Sequence, residues 1–116
     1  MKTITENNLT WIDIEKPTQK DINWLGANFN FHRVTLDELI PPSVREKVEQ
    51  FSDYLFMVIY VPVFNENKRT TKPIELDILV TKNHIITVHS EPIEPLGSFL
   101  KKCNTSSIRE NCFGKT

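Results

Sequence analysis

At 116 residues, 39% hydrophobic and 25% charged, the chain is long enough for one domain with a modest core and has the composition of a soluble globular protein. A formal net charge of -1, with no basic run, excludes the electrostatic footprint of a nucleic-acid-binding protein. The longest apolar run, residues 54–64, is broken by Pro62 and falls short of the roughly 20 residues that a spanning helix needs. The first six residues lack the apolar core of a signal peptide, so the chain taken alone is expected to be soluble and not exported.

Leu9-Thr10-Trp11-Ile12-Asp13-Ile14 alternates apolar and polar residues, the pattern of a half-buried strand, and Pro17 stops it. Thr18, with Asp21 three positions on, is a variant of the capping box that starts a helix. Ile22, Leu25 and Phe29 give that helix one apolar face, and Asn28 and Asn30 suit its end. Residues 32–40 read as a second, short helix with Leu36, Leu39 and Ile40 on one side and Asp37 and Glu38 on the flank away from them. Pro41-Pro42 ends it, because the residue before a proline is pushed out of the helical region.

Strands follow. Residues 47–51 are short and mixed, with Ser52-Asp53 as a turn. Residues 54–61 are apolar throughout, as expected of a central strand covered on both faces. After a polar loop at 65–69, Ile74, Leu76, Ile78 and Val80 alternate with Glu75, Asp77 and Thr81, which predicts a strand showing one face to water. Lys82-Asn83 turns into a last strand over 84–89. Ile93, Leu96, Phe99 and Leu100 recur at helical spacing, Lys101-Lys102 suit the C-terminus of that helix, and 104–111 read as a loop. The expected fold is α/β (α+β): a mixed, largely antiparallel sheet with helices packed on its faces, incomplete at the C-terminus.

Candidate chemistry is sparse. Cys103 and Cys112 lack metal-ligand or redox spacing and read as reduced thiols. Gly114-Lys115-Thr116 lacks the first glycine of a phosphate-binding loop. His84 and His89 stand five apart, which puts them on opposite faces of a regular strand and prevents them from chelating one ion. No nucleophile motif accompanies them, so no catalytic residues are expected. Asp37 and Glu38 remain: hard divalent cations such as magnesium accept one or two carboxylates and keep most of their water. Taken alone, the pair is better explained as adjacent acids on a solvated helix flank.

The run His32-Arg33-Val34-Thr35-Leu36-Asp37-Glu38-Leu39-Ile40 resembles the histidine-initiated, Leu-acid-acid helix of CorA-type magnesium and cobalt transporters. Arg45-Glu46-Lys47-Val48-Glu49-Gln50-Phe51 is similar to the family's Arg-x-Lys-x-Glu-x-Phe strand, and Asp53-Tyr54-Leu55-Phe56 to the start of its central strand. Ile78-Leu79-Val80-Thr81-Lys82-Asn83 resembles its Leu-Thr-Lys-Asn hairpin, and Trp11-Ile12-Asp13 the tryptophan that opens its first strand. The resemblance covers roughly residues 9–102. Arg33 and Glu46 stand where the family often has proline, and the acids run Asp then Glu where it more often has Glu then Asp.

The resemblance implies that residues 1–116 are the N-terminal cytoplasmic domain of a membrane transporter, with the stalk helix, pore helices and Gly-Met-Asn signature lying outside this sequence. It implies a homo-oligomer, a pentamer in the intact transporter, whose domains hang on the cytosolic face of the membrane. It also implies weak regulatory binding of magnesium, and of cobalt, between neighbouring domains. Asp37 and Glu38 would face a carboxylate on the next subunit's stalk, and filled sites would hold the pore closed. A transporter of zinc or another transition metal and a stand-alone α/β interaction module are the competing readings.

Overall fold

The computed structural model describes residues 1–40 and 46–93. Pro41-Pro42, both cysteines and, beyond Ile93, the expected last helix and loop lie outside the described residues. Among the described residues, six strands and two helices follow in the order β1 (Lys2–Glu6), β2 (Leu9–Glu15), α1 (Gln19–Asn28), α2 (Arg33–Glu38), β3 (Lys47–Gln50), β4 (Leu55–Asn65), β5 (Thr70–Val80) and β6 (His84–His89). They form one sheet in the order β1-β2-β6-β5-β4-β3. Only β2 and β6 pair in parallel; the other four neighbouring pairs are antiparallel. The mixed, largely antiparallel sheet expected from the sequence is present.

The first hairpin was not legible in the sequence. Asn7 and Asn8 have φ of 49° and 68°, so they take the two central positions of a turn that needs positive φ at both. Asparagine tolerates that region because its short side chain can hydrogen-bond locally. The turn pairs β1 with β2 from Lys2–Asp13 to Glu6–Leu9.

The expected capping box is formed. Thr18 Oγ1 accepts from the Asp21 backbone N–H at 3.3 Å, and the Thr18 backbone N–H donates to Asp21 Oδ2 at 2.9 Å. Both orphan donors at the start of α1 are thereby satisfied. Replacing Thr18 with alanine is expected to cost about 1 kcal/mol in a urea unfolding experiment. A loss indistinguishable from zero would show that the cap is idle.

Ile22 and Leu25 of α1 and Leu39, the C-cap of α2, seat on one face of the sheet with Ile12, Ile14, Phe56, Val58, Leu79, Ile86 and Val88. The α1–α2 contact is close at Gly26, where an added Cβ would lie 3.3 Å from Leu36 Cδ1. Leu39 is fully buried, whereas Ile40, expected beside it, is exposed. The helix ends at Glu38, so Ile40 leaves the helical register.

Two strand expectations need correction. β4 is covered less evenly than expected: Phe56 and Val58 are fully buried, while Leu55, Met57 and Ile59 on the other face are half-buried. β5 does not show a polar face to water. Leu79 is fully buried and Asp77 is only 1% exposed, because β5 lies inside the sheet between β4 and β6, on the side that the helices cover. Ile74 and Leu76 point to the opposite face, where they form a second cluster with Ile93. Pro62 and Pro73 oppose each other in the outer part of the β4–β5 hairpin. Beyond them Asn65 Oδ1 accepts from the backbone N–H of Asn67 and Lys68 and closes the loop.

Candidate functional site

The helix carrying the two acids is seated by aromatic rings. His32, its N-cap, makes no side-chain cap; its backbone N–H donates to the Tyr54 hydroxyl at 3.1 Å. Tyr54 also shares a 2.8 Å hydrogen bond with Thr35, the buried residue of α2. The His32 ring lies against Phe51, with centroids 4.8 Å apart. The histidine that opens this helix is thus a seat against Phe51 and Tyr54. A shallow hollow of about 270 Å³ runs beside it, lined by Asn30, Phe31, His32, Ser52, Asp53 and Tyr54.

Asp37 and Glu38 diverge. Successive residues on a helix do not face each other. Asp37 is exposed, while Glu38 is half-buried and turns back to the sheet. There it forms an ion pair with Lys47 of β3. Lys47 also reaches Glu49 Oε1 at 3.2 Å and lies 5.5 Å from the centre of the Phe56 ring. The hydrogen bond to Glu38 pushes the Lys47 ammonium upward in pKa, against the opposing effect of burial. The pair on α2 is therefore one solvated acid and one acid already neutralised within the chain.

Beyond Lys47 the same face carries more acid than sequence reasoning expected. Asp77 pairs across the sheet with Val58 and Val88, and its Oδ1 is buried with no hydrogen-bond partner among the described residues. Burial first, then the hydrogen bond with Glu75, push its carboxyl up to about 9, so it is protonated at neutral pH. Tyr60 is pushed upward by desolvation and by the nearby Glu75, Asp77 and Glu46. The signal that could have found this cluster was parity: Lys47 pairs with Val58, which pairs with Asp77, so the three share one face.

On the opposite face lies a second polar set. The Trp11 indole N–H donates to Thr87 Oγ1 at 3.0 Å, and Thr87 donates to Asp13 Oδ1 at 2.6 Å. His89 Nε2 lies 2.9 Å from the same Asp13 oxygen, and His89 Nδ1 lies 2.8 Å from the Glu91 carbonyl. His84 faces the helix side instead, against Phe29, so the two histidines are on opposite faces as expected. His84 is half-buried, whereas the His89 side chain is 3% exposed beside an Asp13 at 6%.

Among the described residues, no group of three or more His, Cys, Asp or Glu could hold a metal ion. The donors of α2 fit a hydrated divalent cation unequally. Asp37 presents an exposed carboxylate of the kind such an ion accepts. Glu38 fits only when Lys47 turns away.

A sequence model described as CorA-like Mg2+ transporter protein matches residues 6–115. The chain belongs to this family. The magnesium transporter ALR2 of Saccharomyces cerevisiae is 29% identical over 86 residues, which cover 72% of this chain and 10% of that protein. The cobalt/magnesium transport protein CorA of Methanocaldococcus jannaschii is 29% identical over 105 residues, covering 87% of this chain and 31% of that one. Among solved structures, the soluble domain of CorA from Methanocaldococcus jannaschii superposes with a TM-score of 0.73 at 23% identity, over 89% of this chain and 40% of that chain. The fold is therefore that of a CorA soluble domain, and the chain spans a tenth to a third of the length of these curated relatives. These relatives are named as transporters. No helix among the described residues is long and apolar enough to cross a membrane.

Proposed function

We propose that residues 1–116 are the N-terminal cytoplasmic, metal-sensing domain of a CorA-type transporter of divalent cations, magnesium and cobalt foremost. The observation that carries this reading is the placement of Asp37, exposed at the end of a helix seated on a CorA soluble-domain fold. Asp37, with Glu38 beside it, is the ligand half that a domain offers to a metal shared with its neighbour. The neighbouring subunit of a homo-oligomer, a pentamer in the intact transporter, supplies the rest. An ion that binds only when two domains are close favours the closed arrangement, and its loss leaves like charges facing each other. The domain thus biases the pore and performs no chemistry. Its binding to metal is weak, because one or two carboxylates are all that it offers.

The test is a titration of magnesium and of cobalt into the chain, followed by amide chemical shifts. Shifts centred on Asp37 and Glu38 are expected at concentrations on the order of a millimolar. They should vanish in the Asp37→Ala, Glu38→Ala double variant. Shifts of equal size and position in that variant would remove both residues from the ligand set.

A further inference from the structure

Glu38 is the last residue of α2, and α2 has no basic residue in its last turn. An acid at that position meets the negative end of the helix dipole and is disfavoured there. The positive charge comes from elsewhere in the chain. Lys47 pairs with Val58, and Glu49 pairs with Phe56, so both side chains rise on the helix-covered face beneath the end of α2. Leu39, fully buried, pins the following residue and leaves Glu38 little freedom to swing away. The ammonium therefore sits between two carboxylates: Glu38 of α2 on one side, and Glu49 of its own strand at 3.2 Å on the other. Glu75 and the protonated Asp77 lie on the same face of β5, and only Glu75 adds negative charge there.

We infer that Lys47 is a tethered competitor for the divalent ion at Glu38, released to Glu49 when the ion binds. This rests on the reading of Asp37 and Glu38 as ligands. An ammonium in contact with Glu38 opposes a divalent cation at the same oxygens, and the ion must displace it to gain that carboxylate. Glu49 makes the displacement possible, because Lys47 can leave Glu38 without becoming unpaired in a partly buried place. The two carboxylates thus set the affinity in opposite directions. Lys47 raises the ion concentration at which the sensor fills, and Glu49 lowers it.

The probe is manganese(II), whose paramagnetism broadens amide signals near a weakly held ion, titrated into the chain at fixed ionic strength. Lys47→Met, whose side chain can still lie against Phe56, is expected to tighten binding near Glu38 by about tenfold. That corresponds to about 1.4 kcal/mol, within the range for one unit charge at contact near a protein surface. Glu49→Gln is expected to weaken it severalfold, because Lys47 then has only Glu38. Both effects should disappear when Glu38→Gln is added. A merely structural Lys47 would not move affinity in opposite directions in the two variants. Unchanged or weaker binding in a folded Lys47→Met protein overturns the inference. Should that variant fail to fold, unchanged affinity in Glu49→Gln overturns it instead. Broadening that is centred away from residues 37–38 in the unsubstituted chain, and that survives Glu38→Gln, overturns the ligand reading itself and this inference with it.

Discussion

Replacing Asp13 with alanine is expected to cost the fold about 3–5 kcal/mol, the scale for breaking a buried charged pair by removing one partner. Asp13 Oδ1 is the common acceptor for the Thr87 hydroxyl and for His89 Nε2, and both donors are buried. The other ring nitrogen of His89 faces the Glu91 carbonyl, so each nitrogen has an acceptor and the ring is best served as a cation. Burial disfavours that cation, but Asp13 and the Glu91 carbonyl outweigh it and raise His89 above its ordinary value. The sign follows from linkage. A raised folded-state pKa contributes stability that is fully present below the ordinary histidine value of about 6.5, and that fades as pH rises through the raised value. The deficit of Asp13→Ala relative to the unsubstituted chain should therefore be largest in mildly acidic solution and narrow towards alkaline pH. Urea unfolding across that range reads both the size and the slope. A deficit below about 1 kcal/mol, or one that does not change with pH, would show that the pair contributes no more than ordinary hydrogen bonds.

Asp77→Asn is expected to act in the other direction, stabilising the chain on the order of 2 kcal/mol at pH 7, within the range for relieving a poorly satisfied buried polar group. Asp77 is pushed up to about 9, against about 3.9 in an unfolded chain. Between those values the folded state must hold a proton that the unfolded state has released, so stability falls as pH rises from about 4 to about 9. Asparagine fills the same space, can still donate to Glu75 and needs no proton. The gap between variant and unsubstituted chain should be small near pH 5 and widen to pH 9. A constant gap, or a variant that is the less stable at pH 9, would mean that Asp77 is ionised and paired.

These two carboxylates mark where one-dimensional pattern loses its force. The helix start at Thr18 was legible because its cap is closed by two residues three apart. The turn at Lys82-Asn83 was legible from its residue types, and the structure adds that Thr81 Oγ1 accepts from the backbone N–H of Asn83 and His84. The strands at 9–14 and 84–89 and the opposite faces of His84 and His89 were legible from pattern and parity, but 9–14 is not the half-buried strand its alternation predicted: Trp11, Ile12, Asp13 and Ile14 are all buried. Asp77 was misread because alternation separates two faces without saying which of them the helices will cover. The Asn7–Asn8 hairpin was missed because its signal is positive φ rather than hydrophobic period.

Of the candidate site, the sequence by itself determined that two acids stand together on a short helix, and the resemblance carried by His32, Lys47, Tyr54 and Thr81 placed that helix in its family. Only the tertiary structure decided that the two acids part company. Adjacent residues on a helix point about 100° apart, and the buried anchor at Leu39 turns Glu38 toward β3. There it meets Lys47, nine residues further along the chain, in an ion pair that no local spacing encodes. The same holds for Asp13 and His89, which are 76 residues apart and meet because β2 and β6 lie side by side in parallel. Residue identity and local spacing determine elements; which charges meet depends on strand order, and strand order is set by the burial of the whole sheet.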